Sequence, residues 1–234
     1  MMSCKRFPLG ALWTNGYLFW DEGGEAFFID PGGDAKEVLS FIEQQGLTLE
    51  MVLLTHGHLD HIAGVHDLEP LVGDQIYVGH GDAHLLSTPP ADLQSALRIR
   101  CDPIPRSRDV TEGMCLHVGG IEIRVMETPG HTPGGVCYLV RREGSEDVLA
   151  SGDTLFAQSV GRTDLKGGDR AALERSLRRL AELPDDLRVL PGHGPETTIG
   201  AERRHGNFWP TWSAPMSRGD PSYEGPSGPS SARS

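Results

Sequence analysis

Thr55-His56-Gly57-His58-Leu59-Asp60-His61 places four side chains able to bind a metal within six residues, directly after an apolar run at 51–54. In extended backbone alternate residues share a face, so His56, His58 and Asp60 are expected to point the same way. A turn beginning near Asp60 then swings His61 toward a neighbouring point. Imidazole nitrogens and carboxylate oxygens at this spacing make a chelate for a divalent metal. The competing reading is a polar loop without chemistry, yet so dense a cluster after a buried strand is costly unless its groups find partners.

Three further residues of the same chemistry share one place in the pattern. His131 follows an expected strand at 121–126 through Thr128-Pro129-Gly130, Asp153 follows 148–150, and His193 follows 188–190 through Pro191-Gly192. Each stands just past the C-terminal end of an expected strand, where α/β folds gather their ligand-binding loops. Seven donors are too many for one tetrahedral zinc. Two divalent ions about 3.5–4 Å apart, bridged by a carboxylate, would use them all. Zinc is the expected metal, and iron or manganese would accept the same mixed His and Asp set.

Such donors need a scaffold, and short β-rich runs alternating with helical ones predict an α/β protein. Residues 25–29 alternate into a strand that stops at Asp30-Pro31-Gly32-Gly33, after which Asp34 is expected to cap a helix with Val38, Leu39 and Ile42 on one face. Further strands are expected at 51–54, 75–78, 116–118, 121–126, 136–140, 148–150 and 188–190, with a helix over 170–183 before the last. Asn15-Gly16 predicts a turn between two short strands.

Composition narrows the partners. The 234 residues carry a formal net charge of −12, so nucleic acid and anionic lipid are repelled unless a local basic patch intervenes, and none is visible. A chain this long should bury about 70–75% of its unfolded surface, enough for a sizeable core without staples. Cys4, Cys101, Cys115 and Cys137 show no C-x-x-C spacing and are expected as reduced, mostly buried thiols without disulfides. The uncharged stretch 7–20 after Lys5 and Arg6 is broken by Pro8, Gly10, Thr14, Asn15 and Gly16. It lacks a small-residue cleavage site and is too short to span a bilayer. A soluble, cytoplasmic chain with no membrane partner is therefore expected. Residues 213–234 hold 14 Gly, Pro or Ser among 22, which predicts a disordered tail behind one domain at 1–212.

H-x-H-x-D-H together with His131, Asp153 and His193 resembles the metallo-β-lactamase fold superfamily, over roughly residues 10–205. Within it, Thr128-Pro129-Gly130-His131-Thr132-Pro133-Gly134, Ser159-Val160-Gly161-Arg162-Thr163-Asp164 and Pro191-Gly192-His193-Gly194-Pro195 are similar to the glyoxalase II-like hydrolases. The resemblance implies an αββα sandwich in which His56, His58 and His131 hold one metal, Asp60, His61 and His193 the other, and Asp153 bridges them. It implies hydrolysis of a small-molecule thioester of the acyl-glutathione type, such as S-lactoylglutathione, by a metal-bridging hydroxide. Asp60 would take a proton, and a thiolate would leave without a strong general acid. The chain resembles a short form of that family, without the C-terminal helical domain that supplies much of the glutathione contact, and Glu202-Arg203-Arg204-His205-Gly206-Asn207-Phe208-Trp209 departs from the family's E-x-x-x-N-P.

Two rivals follow from the same residues. Persulfide dioxygenases resemble this family and hold a single iron through two His and one Asp, here His56, His131 and Asp153, but carry Asp-Tyr where this chain has Gly194-Pro195 after His193. A non-catalytic metal-binding module is the other. β-Lactamase activity is disfavoured because Asp153 stands where such enzymes usually lack a bridging aspartate. Arg162 and Lys166 are candidates to bind a substrate carboxylate, weighed against loop pairing with Asp164 or Asp169. His205 is a candidate border of the substrate pocket. His80 and His84, four apart, lack a third ligand partner and are expected on the surface or behind the metal ligands. His66 and His117 are expected to be structural or solvated.

Overall fold

The computed structural model describes residues 1–205, so the expected tail at 213–234 lies outside the described residues. The chain runs β1 (Ser3–Leu9), β2 (Thr14–Trp20), β3 (Glu25–Ile29), α1 (Lys36–Gln45), β4 (Thr48–Leu53), α2 (Leu59–Ile62), α3 (Val65–Val72) and β5 (Ile76–Gly79). It continues through α4 (Ala83–Ser87), α5 (Ala91–Leu97), β6 (Arg108–Val110), β7 (Cys115–Val118), β8 (Ile121–Glu127), β9 (Val136–Arg141) and β10 (Val148–Gly152). The short β11 (Leu155–Phe156) and β12 (Ser159–Val160), then α6 (Arg170–Ala181), β13 (Arg188–Pro191), β14 (Thr197–Thr198) and α7 (Ile199–His205) complete it.

Two six-stranded sheets form, ordered β1-β2-β3-β4-β5-β6 and β14-β13-β10-β9-β8-β7. Why they face one another can be read from the strand alternation. Tyr17, Phe19, Phe27, Ile29 and Leu53 point one way and meet Ile123, Val125, Tyr138, Val140 and Leu190 of the second sheet in one buried cluster. The alternate residues Leu18, Phe28, Val52 and Leu54 point the other way, onto Val38 and Ile42 of α1 and Val65 and Leu68 of α3. On the far side Cys137, Leu139, Leu149 and Val189 meet Leu173, Leu177 and Leu180 of α6 and Ile199 of α7. Strands apolar on both faces need cover on both, and the result is a helix–sheet–sheet–helix sandwich, as the resemblance implied.

Three expectations need correction. Asn15 and Gly16 make no turn; they lie inside β2, paired with Pro8 and Phe7 of β1. A Cβ on Gly16 would sit 2.7 Å from the Phe28 ring, so this glycine serves packing, and the hairpin turns instead at 10–13, where Gly10 (φ 66°) and Trp13 (φ 56°) take left-handed conformations. Asp34 is not the cap of α1: that place falls to Ala35, with Asp34 accepting the Lys36 amide at 3.0 Å. Of the four free cysteines, Cys101 and Cys137 are buried while Cys4 and Cys115 are exposed. No helix among the described residues is long and apolar enough to cross a membrane.

Candidate metal centre

Parallel pairing of β3 with β4 and of β10 with β13 brings the C-terminal ends of these strands to one end of the sandwich. β4 delivers His56 and His58 on an extended segment, and α2 begins at Leu59 with His58 at its N-cap (φ −70°, ψ 147°). Asp60 and His61 thus sit on a helical turn. The extended alternation expected through Asp60 stops at His58, and Asp60 consequently joins His61 rather than the first two histidines. β8 leads to His131, β10 to Asp153 and β13 to His193.

All seven expected ligands converge. His58 Nδ1 lies 3.1 Å from His56 Nε2 and 2.9 Å from His131 Nε2. Nitrogens bound to one zinc at 2.0–2.1 Å in a tetrahedron stand roughly 3.3 Å apart, so this triangle fits an ion with small relaxation. Asp60, His61 and His193 form a second group, with His193 Nε2 3.2 Å and His61 Nε2 3.7 Å from Asp60 Oδ2. Asp153 lies between the groups: its Oδ1 is 3.3 Å from His61 Nε2 and its Oδ2 is 3.5 Å from His131 Nε2. His61 Nε2 and Asp153 Oδ1 are buried without a hydrogen-bond partner. Two orphaned polar atoms facing each other are what a site built around a cation leaves behind, and the residues present therefore fit two divalent ions.

The orientation of the rings is fixed from behind. Asp30, 1% exposed, accepts the Thr55 amide at 2.8 Å, the Thr55 hydroxyl at 2.6 Å and His61 Nδ1 at 2.8 Å. With its proton directed at Asp30, Thr55 Oγ1 is left to accept from His56 Nδ1 at 3.1 Å. His131 Nδ1 donates to the Arg162 carbonyl at 2.8 Å. In each case the nitrogen bearing the proton faces outward and leaves Nε2 as a lone-pair donor toward the centre. Sequence reading missed Asp30 and Thr55, although Asp30 occupies the same strand-end position as the ligands. Asn15 was missed as well: its amide nitrogen donates to the carbonyls of Pro191 (3.0 Å) and Gly194 (2.9 Å), clamping the His193 loop to β2.

The two ligand groups differ in electrostatics. Burial, then the neighbouring imidazoles, pushes His56 well below the ordinary histidine range, and the same causes bring His58 down to about 4. Around His61 burial also works against charge, but Asp153, Asp30 and Asp60 outweigh it and hold its pKa well above the usual value. His193 is raised too, its burial offset by the bond to Asp60. For Asp60 and Asp153 burial opposes ionisation, and His61 above all overcomes it, so both stay below the usual carboxylate range. The raised values favour protons on His61 and His193 beside the two carboxylates, and an ion held by the second group would have to displace them.

The other candidates are not brought to this centre. Arg162 grips Asp164 with two hydrogen bonds of 2.7 Å at the surface, and Lys166 is exposed with no ion pair among the described residues. His205 ends α7, and its side chain lies outside the described residues. His80 is exposed and bonds Asp109 at 2.6 Å, while His66, His84 and His117 are also exposed.

Fold and site together define a metallo-hydrolase class, and the chain belongs to the metallo-β-lactamase superfamily, whose family model matches residues 9–193. It is 36% identical over 210 residues to the hydroxyacylglutathione hydrolase GloC of Haemophilus influenzae, covering 88% of this chain and 98% of that protein. Among solved structures, the BLEG-1 B3 metallo-β-lactamase superposes with a TM-score of 0.81 at 38% identity, covering 89% of this chain and all of that one. TTHA1623 in a di-iron-bound form gives a TM-score of 0.74 at 39% identity, over 87% and 99%.

Proposed function

We propose that the chain is a binuclear metal-dependent thioesterase of the hydroxyacylglutathione hydrolase type, acting in the cytoplasm on small acyl-glutathione thioesters. The observation that carries this reading is Asp153 standing between two three-residue ligand groups; the GloC relative supports the substrate class, and the di-iron neighbour supports two ions. When bound, two divalent ions supply Lewis acidity toward a carbonyl oxygen and make water more acidic. The seven ligand side chains are the proposed metal set, and Asp60 is the proposed catalytic base. Its Oδ2 is held by the Thr14 hydroxyl at 3.3 Å and by His193, where it can take a proton from water as the acyl–sulfur bond breaks. Water and thioester give a carboxylic acid and a thiol, and the thiolate leaves without a strong general acid.

β-Lactam hydrolysis is a second reading, because the BLEG-1 structure at 38% identity is described as a B3 metallo-β-lactamase. Metal analysis of the purified protein, run beside a thioester panel, a β-lactam and glutathione persulfide with oxygen uptake, separates the readings. Two ions per chain and thioester cleavage without oxygen consumption are expected. Sulfite formation with oxygen uptake, or turnover of the β-lactam alone, would overturn the thioesterase assignment.

A further inference from the structure

The loops carrying the first ligand group are joined by a carboxylate that itself ligates nothing. Asp82 closes a 3-10 turn, His80–Asp82, directly after β5, and its side chain is completely buried. Its Oδ2 accepts the amide of Gly57, the residue between His56 and His58, at 2.9 Å. Its Oδ1 accepts the amide of Gly134, three residues after His131, at 2.7 Å. The backbones meet so closely here that a Cβ on Gly134 would lie 2.4 Å from the Asp82 nitrogen and one on Gly79 would lie 2.0 Å from the Gly134 carbonyl oxygen. Glycine at these positions is what admits the contact. The second ligand group has no bond to Asp82: Asn15 holds the His193 loop, and Asp30 meets His61 directly and His56 only through Thr55.

We propose that Asp82 is a positioning residue that sets the spacing of His56 and His58 against His131, and so tunes the first metal group independently of the second. The inference rests on the metal-centre reading above. A carboxylate with two acceptor oxygens can hold two amides at once, whereas an asparagine offers one oxygen and turns an NH2 donor toward the other amide. Outer partners of metal ligands typically alter affinity by about 10- to 100-fold.

Cobalt(II) is the probe for the test: full-length protein, stripped of metal, is titrated against a competing chelator while the visible d–d bands are followed. Asp82→Asn is expected to weaken one of the two cobalt ions by about 10- to 100-fold and to alter that ion's band, with the other ion and the melting temperature of the metal-free protein little changed. Wild-type affinity and spectrum for both ions in Asp82→Asn overturn the proposal. Equal loss of both ions together with a collapse of melting temperature overturns it too, since that marks general structural support. Should the variant not fold, hydrogen exchange on the wild type decides: the Gly57 and Gly134 amides are expected to be as protected as strand amides, and free exchange refutes the tether. If the wild type takes one ion only, the binuclear reading fails, while the tether is still read from whether Asp82→Asn weakens that ion; if it takes none, the exchange of the two amides decides.

Discussion

At the scale of single residues, the two candidate aspartates, to which the resemblance assigned different roles, stand in different surroundings. Asp153 presents both oxygens to the two groups, so Asp153→Ala is expected to lose one or both ions when metal content is measured after dialysis. Retention of two ions with unchanged affinity would remove its bridging role. Asp60 faces His193 and Thr14 and is the proposed base. Asp60→Asn is therefore expected to cut kcat on an acyl-glutathione thioester by at least about 100-fold, the low end for lost acid–base assistance. KM should change less, because the contacts that hold the acyl and thiol portions remain. Wild-type turnover in this variant would exclude Asp60 as the base.

At the scale of elements, legibility followed periodicity. Strands β3, β8, β9, β10 and β13 lie within a residue or two of their expected bounds, because strands buried on both faces read as apolar runs and β8, buried on one, reads as alternation. All seven candidate ligands were readable from their place: each follows a strand that the sequence marks. What stayed hidden was set by tertiary contact. Asn15-Gly16 has turn chemistry but is held in a strand by the Phe28 ring and the His193 loop, and Asp60 left the extended face because α2 starts one residue before it. Asp30 shared the strand-end position of the candidate ligands but, like Asp82, was missed because its partners, backbone amides and ring nitrogens far away in sequence, carry no local signature. Asp21 is a further case, at the opposite end of the sandwich from the ligands. This 8% exposed side chain in the β2–β3 turn accepts the Gly120 amide, the Gly23 amide and the Arg142 guanidinium, fastening the first sheet to turns of the second. The Gly120 bond above all holds its carboxyl well below the usual range. A depressed native pKa stabilises the fold above the unfolded value of about 3.9 and loses that contribution as pH falls toward the native one. Asp21→Asn is thus expected to lower Tm at pH 7 by roughly 2–8 °C, the scale of about 1–2 kcal/mol in a chain this size. The gap should narrow below about pH 4; a gap that widens on acidification would contradict the strap.

At the scale of the whole molecule, the ligands come from both halves of the sandwich. His56, His58, Asp60 and His61 follow the first sheet's β4, whereas His131, Asp153 and His193 follow strands of the second. Each proposed ion therefore joins the two sheets, since the first takes His131 and the second takes His193 from across the interface. A ligand bound only by the native state stabilises it by mass action, about 2.7 kcal/mol when free metal is a hundred times its dissociation constant. Stripping the metal is then expected to lower Tm by about 5–10 °C, and adding zinc back to restore it. The pH dependence has a definite sign. His61 and His193 have raised pKa values in the metal-free protein, so ions at the second group must displace protons whose occupancy rises as pH falls. The metal-dependent increment in Tm should accordingly be largest near pH 8 and shrink toward pH 5.5. Differential scanning calorimetry of stripped and reloaded protein across that range is the measurement. A metal increment that grows on acidification, or a Tm indifferent to verified metal removal, would mean that the ions do not bind across the two halves.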